Sequence, residues 1–243
     1  MELAANNRLP RLAVLIDADN ASPKIADRLF EEIARIGEAI VRRIYGDFTS
    51  PCSRGWTEAL TRHAIVPQQQ FAYTAGKNAS DITLVIDAMD LLLSGRFDGF
   101  CLISSDSDFT RLASRIREQG VDVFGFGEQK TPESFRQACR RFIYTENLLA
   151  PPSVDSDSKL VASLKPPSAA TPIIKRVLAE IDSEDGWVPL SALGTQLSNS
   201  KSDFDPRTYG YKKLSELVRK AGAFELEQRE GGNLRMRLRK QQA

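Results

Sequence analysis

The chain has 243 residues, 42% of them hydrophobic and 27% charged, with a formal net charge of +1. That composition excludes a low-hydrophobicity disordered chain, and no apolar run is long enough to cross a bilayer. Three cysteines without a close pair (Cys52, Cys101, Cys139) and a single histidine, His63, argue against a disulfide framework, a zinc site and Ser-His-Asp chemistry. A reducing cytoplasm is the expected compartment, and Met1 to Pro10 is polar, without the basic-then-apolar order of a secretory signal.

In chain order, Leu12 to Ile16 predicts a strand and Pro23 to Ile36 a helix, with Ile25, Leu29, Phe30 and Ile33 at helical spacing. A strand over Ala39–Tyr45, a helix over Trp56–His63 and a strand over Ile65–Phe71 follow. Ser80–Leu93 reads as a strong helix capped by Ser80, then Gly99–Ile103 as a strand and Phe109–Gln119 as a helix. Val121–Phe126, Pro132–Cys139 and Phe142–Tyr144 close the series as strand, helix and short strand. Strand and helix alternating with short links predict an α/β domain with a doubly wound, mostly parallel sheet.

The acidic and amide residues fall where strands stop. Asp17 and Asn20 follow the first strand, and Asp106 and Asp108 follow Gly99–Ile103. Parallel strands all end on one edge, so these residues, with Asp81 in the first turn of the Ser80 helix, are expected to meet there. Oxygen ligands without His or Cys suit Mg²⁺ or Mn²⁺, whose usual work is on phosphate oxygens. Asn20 adds a ligand or an orienting amide without more negative charge. Asp87 and Asp90 lie well round the helix from Asp81 and are expected to be solvated or packing residues. Arg54 and Lys130 follow other strands and are candidates to line a groove, and Gly125 and Gly127 read as turn-makers. His63 reads as a surface or boundary residue.

The runs Leu15-Ile-Asp-Ala-Asp-Asn20, Gly76-Lys-Asn-Ala-Ser-Asp81 with Asp87 beyond, and Ser104-Ser-Asp-Ser-Asp-Phe109 resemble the NYN branch of the PIN-like ribonucleases over roughly Leu12 to Leu148. The resemblance implies metal-dependent RNA cleavage, with Asp17, Asn20, Asp81, Asp106 and Asp108 at the metal-site positions. Asp19 either joins the cluster or points away, and Lys77 either meets a phosphate or stays a solvated loop lysine.

Two Pro-Pro pairs and several serines between Asn147 and Thr171 predict a linker, giving domains over 8–149 and 171–243 joined by 150–170. Residues 1–150 carry 18 basic against 20 acidic residues, and residues 170–243 carry 13 against 10, so the tail is the better candidate for a polyanion. Three apolar stripes follow, on Ile173–Ile181, Leu190–Leu197 and Tyr211–Val218, then alternation through Phe224, Leu226, Leu234, Met236 and Leu238 across Gly231-Gly232-Asn233. Three helices and a hairpin make a small winged-helix domain, with Asp205–Leu214 opening the third helix. This part resembles the LOTUS, or OST-HTH, domain, which implies RNA binding and, in some relatives, a helicase partner. Arg207, Lys212, Lys213, Arg235 and Arg237 are the candidate RNA contacts; Tyr209 and Tyr211 are candidates to stack on bases, with Tyr211 read rather as core.

The expected function is a metal-dependent endoribonuclease whose tail captures RNA. The alternatives are an RNA-binding regulator or scaffold with negligible turnover, and a phosphatase of the haloacid dehalogenase type, suggested by Asp17-Ala-Asp19 but lacking the usual residue after the second aspartate.

Overall fold

The structure, a computed structural model, describes residues 8–49, 55–70, 79–149, 164–183, 186–228 and 233–239. The chain divides into two compact units, residues 1–149 and 150–243.

The first unit is built on β1 (Arg11–Asp17), β2 (Glu38–Gly46), β3 (Val66–Gln69), β4 (Gly99–Ile103), β5 (Asp122–Gly127) and β6 (Arg141–Tyr144). They form one sheet in the order β3-β2-β1-β4-β5-β6, with every neighbouring pair parallel. Side chains alternate across a strand, so the apolar run of β1 feeds two cores. Leu12, Val14 and Ile16 join Ile25, Leu29, Ile33, Trp56 and Ile65 on one face, against α1 (Ala26–Ala34) and α2 (Thr57–Arg62). Ala13 and Leu15 join Leu84, Ala88, Leu112, Ile116 and Phe135 on the other, against α3 (Ala79–Leu93), α4 (Thr110–Glu118) and α5 (Glu133–Ala138). Leu29 and Ile33, almost fully buried, each stabilise α1 on the sheet by about 1.5–3 kcal/mol. A short α6 (Glu146–Leu149) completes the first face. The edge strand β3 has only four residues, one of them Pro67.

Two helices that follow strands start through the same device. After β1, the Ser22 hydroxyl accepts from Lys24 N and caps a 3-10 turn, Pro23–Ile25, that runs into α1. After β4, Asp106 caps a 3-10 turn, Ser107–Phe109, that runs into α4. Gly125 and Gly127 are not turn-makers, as both lie within β5. A Cβ on Gly127 would stand 2.5 Å from the Ser104 carbonyl oxygen, so only glycine lets β5 approach the end of β4 this closely.

The second unit holds α7 (Thr171–Ala179), α8 (Leu190–Ser200), α9 (Leu214–Lys220) and a three-stranded antiparallel sheet, β7 (Val188–Pro189), β8 (Phe224–Gln228) and β9 (Leu234–Leu238), in the order β7-β9-β8. The third helix starts at Leu214, later than expected. Pro206–Tyr209 is a 3-10 turn capped by Asp205 and stopped at Gly210, whose φ of +83° suits glycine. Tyr209 belongs to the core at 7% exposure rather than to an open stacking surface, while Tyr211 is half-buried and packs against the same core. Within the expected linker, Pro167–Ala170 forms a 3-10 turn with Ala170 fully buried, and Lys165 N bonds Thr208 O. Those residues belong to the second unit because its core closes over Ala170. Among the described residues, no helix is long and apolar enough to cross a membrane.

Candidate active site and nucleic-acid surface

The chain winds outward from β1 in both directions, so the crevice at the carboxyl ends of β1 and β4 is the topological switch point, where open α/β sheets bind ligands. Asp17 is the last residue of β1 and only 1% exposed. Its Oδ1 accepts from the backbone N of Asp19 (3.0 Å) and Asn20 (3.2 Å), and its Oδ2 from Asn20 Nδ2 (2.8 Å) and Ser104 Oγ (2.7 Å). Four donors fill the four lone-pair sites of a carboxylate. Burial raises the Asp17 pKa, and the bonds from Ser104, Asn20 and Asp19 oppose that rise.

Ser104 also accepts from Asp106 N at 3.0 Å, so one hydroxyl ties the carboxylate of β1 to the loop after β4. Asp106 in turn accepts from Asp108 N at 2.9 Å, with Asp106 half-buried and Asp108 exposed. Asp81 is half-buried in the first turn of α3. Its pKa is pushed up to about 6, first by burial and then by the charges of Asp17, Asp106, Asp19 and Asp108. Five carboxyl groups from β1, α3 and the β4 loop therefore share one field. Asp19 does turn toward the cluster, since Ser80 Oγ donates to its Oδ2 at 3.2 Å. Ser80 was expected to cap α3, but it sits inside the first turn and bonds Asp19 instead.

Among the described residues, no three His, Cys, Asp or Glu side chains stand together in a ready metal-binding arrangement. The donor chemistry nevertheless fits a hard divalent cation. Asp81 carries a proton more readily than an isolated aspartate, first because it is partly buried and then because its neighbours are negative, and a cation relieves that repulsion.

Asp87 is a packing residue with defined partners. Its Oδ2 accepts from Arg43 Nη1 (2.8 Å) and Tyr45 Oη (2.9 Å), pinning α3 to β2. Burial first, then Asp87, raises the Tyr45 pKa, so the phenol stays a donor. Asp90 is exposed. Lys130 pairs with Glu128 at 2.8 Å. Arg54 and Lys77 lie outside the described residues. His63 stacks on Phe30 (centroids 4.6 Å apart) and meets Asp27 at 2.7 Å, just before β3 and so at the opposite, amino edge of the sheet.

In the second unit the expected cations divide. Arg207 wraps Asp205, with Nη2 to Oδ2 at 2.7 Å and Nε to Oδ2 at 2.9 Å, and so serves the turn before α9 rather than an open surface. Arg235 and Arg237 pair across the hairpin with Glu227 (2.7 Å) and Glu225 (2.7 Å), the residues opposite them in register. Both guanidiniums also stack on Trp187, at 4.7 and 4.4 Å from its ring centroid. Lys212 and Lys213 are exposed and precede α9 rather than riding on it. Trp187, Lys213, Asn233 and Arg235 line an open groove of about 780 Å³. A cationic groove with an aromatic wall is the usual platform for single-stranded nucleic acid.

Sequence reasoning missed Ser104, Arg43, Tyr45 and Trp187. Ser104 could have been found as the first residue of its own acidic motif; Trp187 carries no spacing that marks it.

Residues 11–149 match the NYN domain family, and residues 165–236 match the OST-HTH/LOTUS domain. The crystal structure of a protein of unknown function from Vibrio parahaemolyticus RIMD 2210633 is similar at 16% identity and a TM-score of 0.49, over 58% of this chain and 96% of that one. No curated protein matches the chain. An NYN domain points to a nuclease-type fold and a LOTUS domain to RNA binding. The chain is thus a member of the NYN domain family, carrying an OST-HTH/LOTUS domain at its C-terminal side.

Proposed function

We infer that the protein is a metal-dependent endoribonuclease that cleaves RNA phosphodiesters and holds its substrate partly through the tail domain. The observation that carries this reading is the convergence of four aspartate charges on Asp81 at the switch point. Asp81, Asp106 and Asp108 would hold Mg²⁺ or Mn²⁺, with Asp17 joining by releasing one of its donors. Such an ion supplies charge neutralisation at phosphate oxygens and a readily deprotonated water. Asn20 and Ser104 keep Asp17 aimed along the crevice, and Asp87 holds α3 so that Asp81 faces it. In the tail, Lys213 and the Trp187 groove are the surface best suited to RNA. Buried, unpaired Cys101 and Cys139 suit a reducing cytoplasm.

The full set of donors on Asp17 favours a second reading, a catalytically weak RNA-binding regulator whose tail also docks a helicase or another protein. The phosphatase alternative needs Asp17 as an accessible nucleophile, which a carboxylate 1% exposed with both oxygens bonded is not. The test is incubation of the full chain with single-stranded and structured RNA in Mn²⁺, Mg²⁺ or chelator, beside Asp17→Asn. Metal-dependent cleavage lost in the variant supports the nuclease; binding without cleavage in every condition leaves the regulator.

A further inference from the structure

A cavity of about 290 Å³ opens beside the acidic crevice and shares Asn20 with it. It lies at the same carboxyl edge, on the α1 face of the sheet, between the β1–α1 loop and the ends of β4, β5 and β6. Its apolar walls are Ile25, Ile103, Phe126 and Leu149. Neither the acidic cluster nor the packing of the domain uses this space, and its size is at the small end of ligand sites, which run to about 300–1,000 Å³.

The charged lining is one-sided, and the hydroxyls of Ser22, Ser105 and Thr145 complete the polar surface. The charged lining residues are Glu128, which pairs with Lys130 at 2.8 Å, and Glu146, and no lysine or arginine lines the cavity itself. Glu146 is held in place, since its Oε1 accepts from Gln129 N at 2.9 Å. Asn20 has committed its amide nitrogen to Asp17, which leaves its carbonyl oxygen as a further acceptor. Carboxylates repel a phosphate, so the occupant is not the RNA backbone. Acceptors between apolar walls call instead for a flat group that brings N–H donors.

We propose that this cavity is a nucleobase pocket selective for guanine, placed beside the scissile phosphate; it rests on the nuclease reading for its substrate. Guanine carries an imino N1–H and an exocyclic N2 amine side by side, two parallel donors that match one carboxylate as a guanidinium does. Adenine and cytosine place their amine next to an acceptor nitrogen. Uracil flanks its one imino donor with two carbonyls, which a carboxylate facing that edge repels.

The experiment has two arms. In chelator, binding of free guanosine, adenosine, cytidine and uridine to the full chain is followed by saturation-transfer NMR. Guanosine is expected to bind best and to be weakened about tenfold by Glu146→Gln, which replaces one acceptor oxygen with a donor. Because Glu146 also bonds Gln129 N, Ser22→Phe serves as a second variant; Ser22 is exposed on the rim, and added bulk there closes the mouth without entering the core. Loss of guanosine binding in Ser22→Phe but not in Ser22→Ala, which removes the same cap to Lys24 N without adding bulk, is the expected result. Equal binding of all four nucleosides, or guanosine binding untouched by both Glu146→Gln and Ser22→Phe, overturns the pocket. In the second arm, cleavage sites on a mixed-sequence RNA are mapped with Mn²⁺, and cuts are expected next to guanosines in the wild type and at random in Glu146→Gln. If RNA stays intact with every metal while guanosine still binds, the nuclease reading fails and the pocket stands. Cleavage without guanosine preference in the wild type leaves the nuclease and removes the pocket.

Discussion

Ser104 Oγ and Asp17 Oδ2 stand 2.7 Å apart although 87 residues separate them in the chain. The bond joins the ends of two adjacent parallel strands, and both partners are almost fully buried. Ser104→Ala is expected to cost about 1–3 kcal/mol in urea unfolding, because Asp17 and Asp106 N both lose a buried partner. RNA cleavage should fall with it, whereas Ser104→Thr, which keeps the hydroxyl, should restore most of both.

Asp81 has a folded-state pKa of about 6, above its ordinary value of 3.8. The folded protein therefore binds a proton at Asp81 more readily than the unfolded chain does. The associated stabilisation is fully present below about pH 4 and is lost as the pH rises through 6. Asp81→Asn removes that penalty, so it should raise stability at pH 7.5 by about 1 kcal/mol, after discounting for the solvent that reaches the group, and by almost nothing at pH 4. Thermal melts across pH check the slope. Added Mn²⁺ should raise the melting temperature of the wild type and leave Asp81→Asn unmoved.

Asp87→Ala strips a carboxylate from Arg43 and from the largely buried Tyr45 hydroxyl. A loss of about 2 kcal/mol is expected by chemical denaturation, together with reduced cleavage from a displaced α3. Asp87→Asn keeps an acceptor for Tyr45 and should lose less.

Gly127→Ala places a methyl group 2.5 Å from a backbone oxygen that cannot rotate away. The strands must shift, at about 1–3 kcal/mol. Because the oxygen belongs to Ser104, activity should drop further than the melting temperature alone would explain.

Lys213→Glu tests the tail. Lys213 is exposed, so stability should change by no more than about 0.5 kcal/mol. RNA affinity should fall, and the slope of log affinity against log salt should decrease by about 1, as measured by fluorescence anisotropy. Arg207→Ala should do the opposite, costing stability through Asp205 while leaving the salt slope alone.

The strands that build the sheet were legible because strands covered on both faces read as continuous apolar runs, as Leu12–Ile16 and Gly99–Ile103 do. The acids at their ends were legible for the same reason: a charged residue stopping such a run sits at the rim. Side-chain pairing was not. Arg207 looks like any tail cation until Asp205, two residues away, is seen to chelate it. Arg235 and Arg237 alternate outward as expected, yet the register that sets them against Glu227 and Glu225 depends on the hairpin closing. The two residues of β7 are too few to show a period, and so Trp187, which enters the groove just before them, left no signal.

The sheet also has a closed margin. Gln70 N donates to Gly46 O of β2, so residues of its parity turn their amides inward and Pro67 faces the open side. The imino acid has no proton to offer an incoming strand there. Oligomers or fibrils that grow by strand addition are thereby discouraged at this rim, and a partner that meets the β3 edge engages side chains and loops rather than extending the sheet there.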